Sequence, residues 1–290
     1  MLSGGMATEI LCSLHEALRI IQKEQNLSTS ARKTAVGLAR EIQTVLACSG
    51  FYVGFGFKAT AHRLSIRYTA VFFAFATAIV WLAAAHGGIA WGLLWPALSF
   101  SLVAIAYAGV GMSVFGKKRD GKRTLWATIG LFPYLAVSWI LWSIRRFISR
   151  EPCCVQIVPG IWLGRRPYAY ELPPQITTVI DMACEFTPAH GVTSGRDYIS
   201  LPVLDTLVPD CESLVDILKH ISIHSGEIYI HCAFGHGRSA TLAAAILLDR
   251  KIVSTPEEAL QLIRKKRPSV RLSNKQQMLL DFFYQITLSR

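Results

Sequence analysis

The sequence predicts two unlike halves: an α-helical membrane region and, over 151–290, an α/β domain whose central, mostly parallel sheet is flanked by helices. Three observations predict this. Apolar residues make up 52% of the 290 residues and charged ones 17%, which is more apolar than an ordinary globular chain. The excess is concentrated between 68 and 144, in long runs that carry no charge outside one basic cluster. From Cys153 onward, short β-rich runs alternate with helical stretches, the signature of strands and helices packed in layers.

Residues 1–60 read as a polar helical lead-in. Ile10, Leu11, Leu14, Leu18 and Ile21 fall at helical spacing, and Ser30 is placed to cap a second helix. No apolar signal-peptide core opens the chain, so a cleaved secretion signal is not expected.

The membrane region is expected over 61–150, with apolar segments at 68–85, 89–115 and 124–144. Each is near or above the length that crosses about 30 Å of hydrocarbon. Gly87-Gly88 supplies a tight turn between the first two. Lys117, Lys118, Arg119, Lys122 and Arg123 separate the second from the third, and Arg145, Arg146 and Arg150 follow the third. Three plain spans would put the basic cluster and the C-terminal half on opposite sides of the bilayer. Positive flanks, however, assign both to the cytoplasm. Two solutions remain open: a plain third span kinked at Pro133, or a segment that turns back at Pro133 or lies along the membrane. The protein is expected to be integral and multi-pass, with its C-terminal half cytoplasmic and lipids as its surroundings.

Charge has an address. The net +11 divides into +4 for residues 1–67, +7 for 68–150 and zero for 151–290. The basic excess therefore flanks membrane segments. A neutral C-terminal half has no field for nucleic acid, which is excluded as a partner. Seven irregularly spaced cysteines without a CxxC pair argue against a disulfide framework or a zinc site.

Within the α/β half, strands are expected at Val155–Leu163, Thr177–Asp181, Tyr198–Leu201 and Glu227–His231. Helices are expected near 211–224, 239–249, 256–266 and 275–288. Thr255 before Pro256, with Glu258 three after the cap, marks one helix start, and Ser273 with Gln276 marks another.

The informative segment is Glu227-Ile-Tyr-Ile-His231-Cys232-Ala233-Phe234-Gly235-His236-Gly237-Arg238-Ser239. It reads as strand, loop, helix. Gly235 and Gly237 let backbone turn sharply and approach a ligand. A tight loop entering a helix N-terminus aims several N–H groups inward, where the helix dipole adds positive potential. Such a cradle over Ala233–Gly237 suits the three outer oxygens of a phosphoryl group. Arg238 adds a planar, permanently charged clamp, and the same field favours a thiolate at Cys232.

This H-C-x5-R-S spacing resembles the signature of protein tyrosine and dual-specificity phosphatases. The resemblance extends over roughly 155–288, through Ile157–Gly164, Ile176–Asp181, Glu257–Arg264, Arg267-Pro268 and Gln276. It implies that Cys232 is a nucleophile forming a phosphocysteine intermediate and that Arg238 binds phosphate and transition state. It also implies that Ser239 hydrogen-bonds the departing sulfur and that buried His231 orients the loop. Asp205, in Leu201-Pro-Val-Leu-Asp-Thr-Leu-Val-Pro209, is the expected general acid; Asp210 competes for that role but reads better as a helix cap. His236 is expected to be a solvent-facing loop residue, and Arg165-Arg166 a surface pair. A reversible disulfide from Cys232 to Cys211, Cys184 or the Cys153-Cys154 pair is a minor expectation. No metal or organic cofactor is implied, since loop and Arg238 supply the electrostatics.

Three functions follow. A phosphoprotein phosphatase is preferred, because the loop slots Ala233 to Gly237 hold no Lys or Arg and the domain is neutral. A phosphatase of lipid phosphates such as phosphatidylglycerophosphate or a phosphoinositide is the alternative, favoured by the membrane anchor. A non-catalytic receptor for phosphorylated partners is the third.

Overall fold

The computed structural model describes residues 65–209, 211–223 and 226–288. The expected helices of 1–60, Asp210 and the cysteines at 12 and 48 lie outside these residues.

Among the described residues, three helical segments, the second including a 3-10 turn, are long and apolar enough to cross a membrane. Helix α1 is Ile66–His86; a 3-10 turn at Gly88–Leu93 leads into α2, Leu94–Tyr107; α3 is Leu125–Ile148. Gly87 and Gly88 take φ of 60° and 52°, the left-handed backbone that favours glycine at a tight turn. Helices α1 and α2 then run back to back. The Ser65 N–H donates to Tyr107 O at 2.7 Å, and Phe72 stacks on Phe100 and on Tyr107. The second apolar run is not helical to its end: α2 stops at Tyr107, and 108–115 is turns and 3-10 helix.

Helix α3 is one continuous element, so the expectation of a turn back at Pro133 is not met. The reason lies in α2. Proline removes its own donor and displaces the carbonyl four residues earlier. That carbonyl, Ile129 O, accepts from Trp95 Nε1 at 3.0 Å. The next N–H, of Tyr134, donates to Ser99 Oγ at 3.2 Å. A neighbouring helix thus satisfies what the proline disturbs.

The C-terminal half holds five strands in the order β1-β2-β5-β3-β4. They are β1 Cys154–Val158, β2 Ile161–Arg165, β3 Ile176–Ala183, β4 Asp197–Val203 and β5 Glu227–Cys232. Only β1–β2 is antiparallel; β2–β5, β5–β3 and β3–β4 are parallel. The expected run at 155–163 is thus two strands, broken at Gly160 with φ 85°. Helix α4, Cys211–Ile223, buries Leu214, Val215, Ile217 and Ile221. Helices α5 Arg238–Asp249, α6 Pro256–Lys266 and α7 Asn274–Leu288 complete the chain. Central β5 is buried from Ile228 to Cys232, and α5 is buried from Arg238 through Leu248. This strand–helix pair carries the functional loop.

Both capping signals are realised. Thr255 Oγ1 accepts from the Glu258 N–H at 3.2 Å, and the Ser254 N–H donates to Glu258 at 2.7 Å. Ser273 and Gln276 exchange bonds in both directions.

Candidate active site

Strand β5 ends at Cys232 and α5 begins at Arg238, so the five residues between them form a loop at the C-terminal edge of a parallel sheet, where open α/β sheets bind ligands. Gly235, at φ 78°, packs its Cα against the backbone of Gly164 and Arg165, leaving no space for a Cβ. Cys232 is 3% exposed. Its Sγ accepts from the Gly235 N–H at 3.2 Å and from Ser239 Oγ at 3.3 Å. Two donors therefore converge on the sulfur at the mouth of a helix.

Arg238 is 2% exposed. Its Nη1 and Nη2 grip Glu185 at 2.8 and 2.6 Å, and Nη1 also donates to Val203 O at 2.9 Å. Burial would lower the guanidinium pKa, but the charge of Glu185, then of Asp205, outweighs it and pushes it up. The donor count is informative. Nη1 has both hydrogens engaged and Nη2 one. Nε is buried without a hydrogen-bond partner, although Asp205 Oδ1 lies 3.3 Å away. Nε and the second Nη2 hydrogen carry no hydrogen bond among the described residues, and Asp205 is the group that stands over Nε.

Asp205 follows β4 and its side chain is 62% exposed. Helix α7 holds its loop: Ser273 Oγ donates to Thr206 O at 2.6 Å and Gln276 Nε2 to Leu207 O at 3.1 Å. Gln276 also closes on the other loop, for a Cβ at Gly237 would sit 3.1 Å from its Oε1. One buried amide thus spaces the acid-bearing loop from the cysteine-bearing one.

His231 is buried, with Nδ1 3.3 Å from Cys232 O and 3.8 Å from Asp181 Oδ1. Burial lowers its pKa against the pull of Asp181, so at neutral pH it is an uncharged support behind the loop. Asp181 is itself tied to Lys117 Nζ at 2.7 Å and to the Tyr198 hydroxyl at 2.6 Å. Burial would raise Asp181, but the charge of Lys117 and these hydrogen bonds hold it at about 2. The membrane region's basic cluster is therefore not all solvated. Lys117 reaches the strand beside the cysteine, and Arg123 Nη2 donates to Cys184 O at 2.8 Å.

Three other contacts bind the loops to the long apolar helices. Trp142 of α3, 1% exposed, donates from Nε1 to Ala233 O at 3.1 Å and packs with Phe186 and Ala233. Arg145 stacks on Phe234 with its Cζ 5.5 Å from the ring centroid. The Tyr107 hydroxyl donates to Asp205 O at 3.4 Å.

Several expectations need correction. His236 does not face solvent: its Nε2 meets Glu151 Oε2 at 2.7 Å, and Arg267 meets the same carboxylate at 3.0 Å. Arg165-Arg166 is not a surface pair. Arg165 makes a two-pronged pair with Glu171; Arg166 is buried, donates to Thr187 O and lies over Trp142. Sequence reasoning missed Glu185, Lys117 and Trp142. Glu185 had a signal, as an acid just past the end of β3 beside the cysteine strand. Lys117 looked like any flank of a span.

A nucleophile-bearing loop of this build, with an arginine opening the next helix, defines the cysteine-dependent phosphate-binding class. Residues 162–285 match the family described as "Dual specificity phosphatase, catalytic domain". This part of the chain is similar to the catalytic domains of dual-specificity and protein tyrosine phosphatases. The phosphatidylglycerophosphate phosphatase PTPMT1 of Arabidopsis thaliana is 31% identical over 97 residues, which cover 33% of this chain and 27% of that protein. Dual specificity protein phosphatase 16 of Homo sapiens is 30% identical over 123 residues, covering 40% and 18%. The chain thus spans less than a third of either relative. A crystal structure of PTPMT1 in complex with PI(5)P aligns at 24% identity with a TM-score of 0.42, covering 48% of this chain and 98% of that one.

Proposed function

We propose that the protein is a membrane-bound phosphomonoester hydrolase that works through a phosphocysteine, on a phosphate carried by a membrane lipid. The observation that carries the chemistry is the convergence of the Gly235 N–H and the Ser239 hydroxyl on Cys232 Sγ, with Arg238 opening the helix that follows. The Cys232 thiolate attacks phosphorus; the S–P bond forms as the bond to the leaving oxygen breaks, and Asp205 gives that oxygen a proton. Water then attacks phosphorus, Asp205 takes its proton, and the S–P bond breaks to return thiolate and inorganic phosphate. Ser239, 3.3 Å from the sulfur, stabilises the departing thiolate. Arg238 holds the equatorial oxygens in both steps, and His231 positions the loop.

The contacts of both loops with the membrane helices favour a lipid substrate. Trp142 holds the cysteine loop and Tyr107 the acid loop. The 117–123 segment before α3 and Trp142 near its end both touch the same domain. Helix α3 therefore lies along the bilayer surface, and only the α1–α2 hairpin crosses. Its outward side chains Trp126, Ile129, Phe132, Ile140, Ile144 and Phe147 are exposed and apolar, as suits a helix seated in lipid. This topology puts the basic cluster, Arg145, Arg146, Arg150 and the catalytic domain together on the cytoplasmic side. The relative named as a phosphatidylglycerophosphate phosphatase supports that substrate class.

Phosphoprotein hydrolysis is the second reading, favoured by the absence of Lys and Arg from the loop slots. The substrate trap Cys232→Ser, recovered from membranes, separates the two. A retained lipid phosphomonoester supports the first, and a retained phosphoprotein replaces it with the second. Asp205→Asn is expected to slow hydrolysis of alkyl phosphates by about 10²–10⁴ and to flatten the fall of rate at high pH. An unchanged profile would move the acid role elsewhere.

A further inference from the structure

Beside the site, but not part of it, lies a cavity of about 590 Å³ between the end of α3 and the outer wall of the cysteine loop. Its volume falls within the roughly 300–1,000 Å³ of small-molecule sites. Cys232, Asp205 and Arg238 do not line it. Phe234 and His236 do: the Phe234 ring lies under Arg145, and His236 Nε2 meets Glu151 at 2.7 Å.

The lining has one sign of charge and one apolar wall. Arg145, Arg146, Arg165 and Arg267 all face it. Glu171 pairs with Arg146 and Arg165, and Glu151 with Arg267. Four guanidiniums against two carboxylates leave a surplus of two positive charges. The Arg145 guanidinium makes no ion pair with a carboxylate among the described residues and lies over the Phe234 ring. Arg146 Nε and Arg267 Nε are buried without hydrogen-bond partners. The apolar wall is Leu141, Ile144 and Ile148, exposed side chains of the same helix that meets lipid.

The geometry points to a binding site for the headgroup of an anionic phospholipid, its phosphodiester held by Arg145 and Arg146 and its acyl chains laid along Ile144 and Ile148. This occupant is an effector, not a substrate, because the cavity lies behind the loop wall and offers no nucleophile. A bound phosphodiester fixes Arg145 on Phe234, and with it the wall of the phosphate cradle. Catalysis is then strongest where the membrane is anionic. The assignment rests on the proposed lipid-surface placement of α3, but it can be tested without any turnover.

The full chain is placed in nanodiscs of phosphatidylcholine, with and without one-fifth phosphatidylglycerol, a phosphodiester the enzyme has no monoester to cleave. Retained lipid is read by native mass spectrometry. The wild type is expected to retain phosphatidylglycerol. Arg145→Glu should weaken retention about tenfold or more, whereas Arg150→Glu, which reverses an equal charge outside the cavity, should not. Inorganic phosphate should not displace the lipid. In parallel, phosphatidylglycerol should raise para-nitrophenyl phosphate turnover several-fold in the wild type and in Arg150→Glu, but not in Arg145→Glu. Equal effects of the two reversals would reduce the attraction to diffuse surface charge and overturn the site, as would absence of retention or displacement by free phosphate. A protein that retains the lipid selectively yet turns over nothing would keep the site and remove the hydrolase reading.

Discussion

The two segments of the α1–α2 hairpin and helix α3 are each alike in length and hydropathy, yet they relate differently to the catalytic loops. The hairpin meets the α/β half at its base, where Tyr107 reaches Asp205 O. Away from that base, Trp81 is 70% exposed and Ile89 fully so. Helix α3 and the segment before it meet the same half at Lys117, Arg123, Trp142 and Arg146. Apolar content therefore says that a segment belongs with lipid, while its polar and aromatic anchors say how it lies there. On the proposed topology, a helix tied to the catalytic half near both ends lies along the bilayer and does not cross it.

Substitutions should sharpen that contrast, and the largest effect belongs to Lys117. Its ammonium is fully buried against Asp181. Lys117→Met leaves an unpaired buried carboxylate, a change that costs about 3–5 kcal/mol. Thermal unfolding in detergent measures it, and Asp181→Asn added to Lys117→Met should recover part of the loss. A neutral Lys117→Met would mean that the segment is not held as described.

Acidity tests the same joint. Asp181, at about 2 in the fold, lies below the ordinary ~3.9 of an unfolded aspartate. Its contribution is therefore complete above about pH 4–5 and lost as pH falls toward 2. Glu171 behaves likewise: burial would raise it, but hydrogen bonds from Arg165 and the Tyr168 N–H hold it at about 2. Melting temperature should fall steeply below pH 4. In Lys117→Met the fall should be shallower, because Asp181, no longer held below its unfolded value by Lys117, stops losing stability on protonation.

Trp142→Phe should do less. It keeps most of the packing but removes the donor to Ala233 O, a net loss of about 1 kcal/mol, with turnover reduced because the cysteine loop loses a tether. The smallest effect is expected in the hairpin: Trp81→Ala removes a side chain that faces outward, and stability should move by no more than about 0.5 kcal/mol. A Trp81→Ala effect on turnover as large as that of Trp142→Phe would erase the distinction between the two regions.

Local chemistry made much of this legible in the sequence. The cysteine loop, its strand and its helix are contiguous, so Cys232, Gly235, Arg238 and Ser239 announce themselves by spacing. The capping pairs at Thr255 and Ser273 do so for the same reason. What escaped depends on partners far away in the chain. Glu185 meets Arg238 across 53 residues, Lys117 meets Asp181 across 64, and Trp142 meets Ala233 across 91. Pro133 looked like a break because the sequence could not show Trp95 and Ser99 waiting on the adjacent helix. His236 looked solvated because Glu151 lies 85 residues earlier.

The most direct measurement is sidedness. Single cysteines at Ile89, Asp120 and Arg150, each compared with the unaltered chain, are labelled with a membrane-impermeant maleimide in sealed vesicles. If α3 lies along the surface that carries the catalytic domain, Asp120→Cys and Arg150→Cys react from one side and Ile89→Cys from the other. If Arg150→Cys reacts together with Ile89→Cys, on the side opposite Asp120→Cys, then α3 crosses the bilayer and the account of the catalytic loops at the lipid surface is wrong.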